Sequence, residues 1–237
     1  MINTIDKKDT LGQIVSIFPL ASEIFNKYKI DYCCGGHDNL ESALLEKELN
    51  VDSILKELNE SYEAFVQSNN EYIDWRKESP INIINHIVRT HHSYTKKELP
   101  NIDLLMMKIL KAHFSHHQEL LLKLHKLFGL LKIELEEHLI KEEEVLFPLI
   151  EKYSSDKSNA TLTKVTEFIK ETESEHDAAG DILKEIRELT NDFSAPEDTC
   201  TTFRLVYAQI EALEKDLFIH IHLENSILFS LVSLETQ

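Results

Sequence analysis

The chain has 237 residues, 42% of them hydrophobic, and a formal net charge of -17 at pH 7. Such acidity argues against a nucleic-acid partner, because contacts to phosphate need clustered Lys and Arg. There is no run of about 18 apolar residues and no apolar stretch like that of a signal peptide, so we expect a soluble cytoplasmic protein without a membrane partner. Three cysteines do not form a disulfide framework, which is typical of a reducing compartment.

The segments of the chain differ in their helical periodicity. Only 5 glycines and 5 prolines predict long helices and few tight turns. Residues 1–66 are predicted to form a small domain of short helices, and residues 67–79 a linker. Residues 80–237 contain four long amphipathic segments, at 80–99, 118–153, 160–189 and 197–234, with a break at Pro100. The predicted fold is all-α, an antiparallel four-helix bundle preceded by the small helical domain.

Two adjacent cysteines, Cys33 and Cys34, precede Gly35-Gly36 and a helix that is expected to begin near Asn39. Backbone N–H groups and the positive end of that helix are expected to lower the thiol pKa. Adjacent cysteines close a strained ring when they are oxidised together, so a thiol or metal-binding role is favoured over a structural disulfide. The alternative is a pair of small buried apolar residues. Cys200, at a predicted helix start, is assigned a structural role.

One pattern, His-x3-Glu-x3-Leu-Phe-x-Leu, occurs twice, beginning at His138 and at His220. The spacing of four puts His138 and Glu142 on one helix face, and likewise His220 and Glu224. Each pair interrupts an otherwise apolar core face, where an unpaired polar group is strongly unfavourable. Imidazole nitrogens and carboxylate oxygens aimed into a bundle are metal ligands, so the pattern predicts a metal site. Core histidines bonded to neighbouring glutamates are the alternative.

The other two long segments offer further candidate ligands. His176 is the strong candidate on the core face of the third segment. The first segment offers His91 or His92, and periodicity does not choose between them. Surface or structural roles are expected for the remaining histidines considered: His86, His113, His116, His117, His125 and His222.

Taken together, these motifs make the bundle resemble a hemerythrin-like di-iron domain. Nearly the whole chain resembles the iron–sulfur cluster repair di-iron proteins, the RIC family (ScdA-like). The motifs that carry the resemblance are, in chain order, Asp31-Tyr-Cys33-Cys34-Gly35-Gly36, His92 with Leu99-Pro100, His138-x3-Glu142 with Leu146-Phe147-Pro148, Ser174-Glu175-His176-Asp177-x-Ala-Gly180, Cys200-Thr-Thr and His220-x3-Glu224-Asn225. Each motif is moderately specific alone, and the combination is highly specific.

The resemblance implies two iron ions per chain in an oxo- and carboxylate-bridged centre. The implied ligands are His92, His138, His176 and His220, with Glu142 and Glu224 as bridges. The resemblance therefore selects His92 over His91. Glu134 and Glu175 are candidate outer or iron-path carboxylates, with solvated surface glutamates as the alternative. For Cys33 and Cys34 the resemblance implies a redox or iron-handling role, in a domain that docks near the di-iron site.

The sequence departs from oxygen-carrying hemerythrins at two positions. Those proteins usually carry a second histidine four residues after the one on the third helix, where this chain has Gly180. They also end with His-x4-Asp, where this chain has His220-x3-Glu224. Fewer histidines mean a less saturated and more labile metal site, so reversible O2 carriage is disfavoured.

The resemblance implies a stress-response protein that repairs iron–sulfur clusters damaged by nitrosative or oxidative stress by donating iron. The implied partners are damaged iron–sulfur proteins, with nitric oxide or O2 as small ligands. A nitric oxide reductase and an O2 or NO sensor remain open at the same site, so turnover as an enzyme is open too. A homodimer also remains open. Manganese or zinc would suit the same ligands.

Overall fold

The computed structural model of the chain describes residues 4–68 and 72–234. Within these ranges the regular structure is helical, with a single isolated bridge between Thr10 and Asn39. The expected all-α class is confirmed. Contacts divide the chain into two compact units, Met1–Ile83 with Phe218–Gln237, and Ile84–Leu217. Across the described ranges, no helix is both long and apolar enough to cross a membrane.

The first unit contains four helices from the N-terminal part of the chain and a short 3-10 turn. The helices are α1 (Leu11–Ile17), α2 (Ala21–Lys27), α3 (Leu40–Glu46) and α4 (Val51–Gln67), and the turn is Trp75–Lys77. Side chains define where three of them begin, because Thr10, Asn39 and Asn50 each accept a backbone N–H bond from the first turn. Their buried faces form one apolar core that includes Phe18, Phe25, Leu40, Leu44 and Leu58.

The predicted linker at 67–79 overlaps the end of α4 and the 3-10 turn. Its residues 69–71 lie outside the described residues. The predicted domain limits, 1–66, 67–79 and 80–237, stay a prediction.

The rest of the chain consists of helices of 6 to 49 residues, interrupted by π-helical turns. In order these are α5 (Pro80–Ile87), a π turn (Val88–His92), α6 (Ser93–Lys141), a π turn (Glu142–Leu146), α7 (Phe147–Asp156), α8 (Asn159–Leu189), α9 (Thr201–His222), a π turn (Leu223–Leu228) and α10 (Phe229–Leu234). α6 contains a kink at His117, whose φ of -129° and ψ of 34° are not helical. The kink divides the helix into two segments.

Ion pairs in the second unit show that successive helical segments run antiparallel. Across the kink in α6, Lys132 Nζ lies 2.9 Å from Asp103 Oδ2. Lys141 Nζ, in α6, lies 3.1 Å from Glu171 Oε1 in α8, and Arg187 in α8 pairs with Glu214 in α9. In the first two pairs the two residues are similarly far along the chain from the kink or turn that joins their segments. Only an antiparallel arrangement allows this, so the predicted four-helix bundle is confirmed.

Two predicted helix boundaries are wrong. Pro100 does not end a helix but lies inside α6, because its neighbours Leu99 and Ile102 are fully buried and hold the segment in place. Proline removes one backbone hydrogen bond, and this packing outweighs that loss. The break comes at His117 instead. The last long segment begins at Thr201 rather than at residue 197.

The pair between Arg187 and Glu214 is the test of this packing, since Glu214 is only 1% exposed. We expect Arg187→Leu to lower the free energy of unfolding by about 3 kcal/mol, because a buried carboxylate loses its cation. Lys215→Leu removes an exposed ion pair with Glu211 and should change the free energy of unfolding by less than about 0.5 kcal/mol. Urea unfolding monitored by circular dichroism measures both. Equal effects of the two substitutions would show that the buried pair is not needed.

Candidate metal centre

Three π-helical turns coincide with predicted ligands. His92 is the last residue of Val88–His92, Glu142 is the first of Glu142–Leu146, and Glu224 lies inside Leu223–Leu228. A π turn adds a residue to the helical turn and changes the direction of nearby side chains, and such turns are frequent at functional sites. A 3.6-residue periodicity does not reveal them, so the sequence analysis missed these turns.

Glu142 is the centre of the cluster in the second unit and is fully buried. Its Oε2 lies 3.3 Å from His92 Nε2, and its Oε1 lies 3.4 Å from His138 Nε2. One carboxylate thus presents a different oxygen to each of two imidazoles. His176 Nε2 lies 3.2 Å from His138 Nε2.

The other ring nitrogens of His92 and His138 are bonded to carboxylates. His92 Nδ1 lies 2.7 Å from Glu143 Oε1, and His138 Nδ1 lies 2.9 Å from Glu175 Oε2. A carboxylate accepts, so each Nδ1 carries a proton, and in the neutral imidazole each Nε2 then presents a lone pair. This is the usual way in which a protein orients a metal-binding histidine.

A lysine in turn holds each of these outer carboxylates. Lys96 Nζ lies 2.7 and 2.6 Å from the two oxygens of Glu143, and Lys141 donates to Glu175. Burial alone raises the pKa of Glu143, but the hydrogen bonds from Lys96 and His92 outweigh it and lower the pKa. The bond from His138, together with the bond from Lys141, lowers the pKa of Glu175 to about 2. Both outer carboxylates are therefore anionic.

The positions of the inner nitrogen and oxygen atoms show whether a cation fits among them. With Nδ1 protonated, the Nε2 lone pairs of His92 and His138 point toward the oxygens of Glu142, and the His138 lone pair also faces His176. Acceptors at these separations repel one another unless protons or a metal cation lie among them. The imidazole and carboxylate donors suit divalent transition metals. The residues fit a metal ion.

The structure separates His91 from His92, which periodicity did not. Both rings are buried. His91 Nδ1 lies 3.0 Å from Asp216 Oδ1, whereas His92 Nε2 faces Glu142. The geometry therefore brings His92 to the cluster and gives His91 a separate hydrogen-bond partner.

The first unit contains the second copy of the repeated pattern. His220 and Glu224 are both buried, and His220 Nε2 lies 3.1 Å from Glu224 Oε1. His138 and Glu142 have the same arrangement at 3.4 Å. The two copies thus share their local geometry as well as their sequence spacing.

The cysteine motif in the first unit differs from expectation. Asp31 Oδ1 accepts the backbone N–H groups of Cys33 and Cys34, at 3.2 and 3.1 Å, and also the Cys33 thiol at 3.2 Å. The N–H groups expected to stabilise a thiolate are therefore occupied by a carboxylate. Burial, helped by Cys34 and Asp31, raises the pKa of Cys33 well above its usual value, so the expected lowering is wrong for this thiol. One ligand atom each from Asp31, Cys33 and Cys34 lie within 4.8 Å of one another.

The cysteine motif also packs against the π turn that carries Glu224, within the same unit. Asn225 Nδ2 donates to the Cys33 carbonyl at 3.5 Å. A Cβ at Gly36 would lie 2.9 Å from the Tyr32 carbonyl and 3.0 Å from Ser226 Oγ. Glycine at this position therefore allows the close approach of the two segments.

The thiol whose pKa is lowered is Cys200, which is exposed and precedes α9. A hydrogen bond with His113, followed by backbone bonds from the first turn of the helix, lowers its pKa to about 7. The expected structural role does not match this exposed position.

Comparison with known proteins identifies the family of the chain. Residues 7–62 match the ScdA_N model, described as a domain of unknown function (DUF542), and residues 83–232 match the hemerythrin HHE cation binding domain. The chain is 37% identical over 219 residues to the iron–sulfur cluster repair protein YtfE of Enterobacter sp. (strain 638), covering 92% of this chain and 94% of that protein. The corresponding protein of Escherichia coli O81 (strain ED1a) is 36% identical over the same shares. The chain belongs to the YtfE family of iron–sulfur cluster repair proteins.

The expected resemblance is thereby confirmed. The hemerythrin HHE domain is a cation-binding domain, and its match includes both copies of the repeated pattern. Membership in this family agrees with the fit of the buried histidines and glutamates to a metal ion.

Three residues around the cluster were not found by sequence reasoning: Glu143, Lys96 and Lys141. A signal was present, because a lysine follows His92 by four residues and His138 by three, about one helical turn in each case. Glu175 was identified as an outer carboxylate and does contact His138. Glu134 is exposed, which favours the alternative of a solvated glutamate.

The outer carboxylates can be tested through metal affinity. We expect Glu143→Gln and Glu175→Gln each to weaken ferrous iron binding by about 10- to 100-fold, because the imidazole loses the anion that orients it. Anaerobic competition with a chromophoric chelator measures the affinity. Glu144→Gln, at an exposed neighbouring position, is the matched control and should bind like the parent chain. Unchanged affinity in both test variants would rule out this role.

Proposed function

We propose that this chain repairs damaged iron–sulfur clusters by supplying iron. The two relatives described above, which match this chain over 94% of their own length, carry the name iron–sulfur cluster repair protein. The observation that carries the metal part of the proposal is the position of Glu142, with one oxygen toward His92 and the other toward His138. A carboxylate placed in this way suits two metal ions rather than one.

The proposed centre holds two iron ions. Its ligands are His92, His138, Glu142 and His176 from the second unit, and His220 and Glu224 from the first. The inclusion of the last two is supported by the match of a single family domain over residues 83–232 and by the shared geometry of the two His–Glu pairs. By analogy with Glu142, Glu224 would be the second bridge. A bound di-iron pair would supply exchangeable iron and redox chemistry.

The residues of this chain favour release over tight retention of iron. One turn after His176, the buried position is Gly180, which offers no ligand. The bundle therefore provides four histidines and two glutamates for two ions. Glu143 and Glu175 orient the histidines from outside, and the lysine side chains that hold them are 49% and 44% exposed. Each of these two histidines is thus linked to solvent through one carboxylate and then one lysine side chain.

Cys33 and Cys34, the proposed reactive residues, would handle iron or electrons on the way to a damaged cluster. The proposal is supported by the grouping of Asp31, Cys33 and Cys34 and by the bond from Asn225, next to Glu224, to the Cys33 carbonyl. A ferrous ion delivered as cargo would displace the proton that Cys33 shares with Asp31, because metals bind the thiolate form.

The test of the function begins with anaerobic purification and iron analysis. The iron-loaded chain is then incubated with a hydratase whose [4Fe–4S] cluster has been damaged by nitric oxide. We expect activity to return in proportion to the iron supplied, and Glu142→Ala to lose both bound iron and repair. Glu144→Ala is the control and should retain both. A chelator control identifies repair by free iron.

The competing function, reduction of nitric oxide, is tested in the same preparation. Stopped-flow mixing with NO and a chemical reductant should give no sustained N2O production if the chain is a repair protein. Continuous N2O formation without iron transfer would contradict the proposal and favour the reductase.

The cysteines are tested by Cys33→Ala combined with Cys34→Ala. We expect the double variant to retain its iron, because neither thiol is among the proposed bundle ligands, but to transfer that iron more slowly. Cys200→Ala is a matched thiol control and should transfer at the parent rate. Unchanged iron transfer and unchanged iron reduction in the double variant would exclude a role for the pair.

A further inference from the structure

The outer face of the first half of α6, before the kink at His117, combines exposed apolar and basic side chains. Leu104, Met107 and Phe114 are 60%, 38% and 41% exposed. Exposed lysines lie on the same face. This surface, the basic stripe, consists of Lys97, Leu104, Met107, Lys108, Lys111 and Phe114. Spacings of three, four and seven residues keep its members on one side of the helix, along about 26 Å.

The basic stripe takes no part in the core of the second unit. The opposite side of the same helix supplies the core residues, among them Leu99, Ile102, Met106 and Ile109, which are buried. Exposed apolar side chains that lie together and are rimmed by polar residues are typical of an interaction surface. The basic stripe has this composition.

The charge of the basic stripe is opposite to that of the whole chain, which has a formal net charge of -17. This half of α6 has two acidic residues, Glu98 and Asp103, and a lysine neutralises each of them. Glu98 Oε1 lies 3.3 Å from Lys97 Nζ, and Asp103 Oδ2 lies 2.9 Å from Lys132 Nζ. No acidic side chain of this half of the helix therefore offsets the remaining lysines.

The other two lysines of the basic stripe offer their charge to a partner. Among the residues that the structure describes, Lys108 and Lys111 form no ion pair. At about 0.1 M salt, charges more than about 10 Å away are largely screened. A partner on this face therefore meets a positive local charge in spite of the acidity of the chain. Charge complementarity then calls for a partner with an acidic surface.

One end of the basic stripe lies beside the metal cluster of the second unit. Lys97 directly follows Lys96, whose Nζ lies 2.6 Å from Glu143 Oε2. Glu143 in turn accepts the hydrogen bond from His92. A protein docked on the basic stripe would thus lie at the surface end of the side-chain connection that leads from His92 to solvent.

We propose that the basic stripe is the docking surface for an iron–sulfur protein whose own surface is acidic, with apolar side chains among its carboxylates. The choice of an iron–sulfur protein rests on the proposed function, and its acidity rests on the charge of the stripe. A contact along one helix face of this length is smaller than a standard interface, so the complex should be transient, with a Kd in the micromolar range.

An anionic membrane suits the basic stripe less well. Segments that bind anionic lipid typically carry about four to eight basic residues close together. The basic stripe has three. An extended anionic sheet would also repel a chain with a net charge of -17, whereas a small protein surface meets mainly the local charges.

The lysines are tested with the iron-loaded full chain and an acidic [2Fe–2S] ferredoxin as the probe, by isothermal titration calorimetry at about 0.1 M salt. Lys108→Glu combined with Lys111→Glu should raise the Kd by about tenfold, because two attractions become repulsions. Glutamine at both positions should raise it by about threefold, and arginine at both should preserve it. Lys164→Glu combined with Lys170→Glu, at exposed positions of α8, is the matched control and should bind like the parent chain.

The apolar part of the basic stripe has its own variant and control. Leu104→Asp should raise the Kd for the ferredoxin by about tenfold, because it removes an apolar contact and adds a like charge. Leu205→Asp places the same group at an apolar position of α9 that is 45% exposed, and should leave the Kd unchanged. Carbodiimide, which joins lysines to carboxylates in contact, should cross-link the ferredoxin to Lys108 and Lys111 but not to Lys164.

Several outcomes would overturn the proposal. These are a Kd weaker than about 1 mM for the parent chain, and equal binding by the parent and the charge-reversed variant. Charge-sensitive binding to phosphatidylglycerol vesicles, without ferredoxin binding, would assign the surface to a membrane instead. Self-association that the same charge reversal abolishes would assign it to a second copy. Ferredoxin docking without iron donation would support this surface while contradicting the proposed function.

Discussion

Burial of ionisable side chains in the helical core is the constraint on which the rest of the structure depends. Glu142 and His92 are fully buried, and burial of such groups without compensation is strongly unfavourable. The compensation is arranged in layers. His92 and His138 each donate to an outer carboxylate, Glu143 or Glu175, and a lysine holds that carboxylate at the surface. A cation at the centre would compensate the buried charge of Glu142, as the lysines compensate the outer carboxylates.

The same layering limits how rigid the centre is. Ion pairs that end in half-exposed lysines are weak individually, because water and salt screen them. The outer carboxylates therefore orient the histidines without sealing them from solvent. The π turns at His92, Glu142 and Glu224 break the regular hydrogen-bond pattern of the helices at the ligand positions. A metal site built in this way would exchange its metal more readily than a closed structural site would.

The sequence predicted those features that recur at a helical period. The two His–Glu pairs were evident because each interrupts an apolar core face, and His176 stood out for the same reason. The break predicted at Pro100 was wrong, because local propensity does not include tertiary packing. The buried side chains of Leu99 and Ile102 keep α6 helical on both sides of the proline. Glu143 was overlooked because a run of three glutamates on a helix looks like a solvated surface. The pKa of Cys33 was predicted in the wrong direction because the sequence does not show that Asp31 occupies the backbone N–H groups.

The raised pKa of Cys33 gives the cysteine motif a chemistry of its own. A thiol kept protonated in a buried position resists oxidation and adventitious metals, since both act on the thiolate. Asp31 accepts the thiol hydrogen bond and is itself an oxygen ligand, so an arriving divalent cation would gain a thiolate and a carboxylate together. Release of the proton is then coupled to arrival of the metal. Asn225 directly follows Glu224 and donates a hydrogen bond to the Cys33 carbonyl. Movement of the cysteine loop would therefore also displace the π turn that carries Glu224.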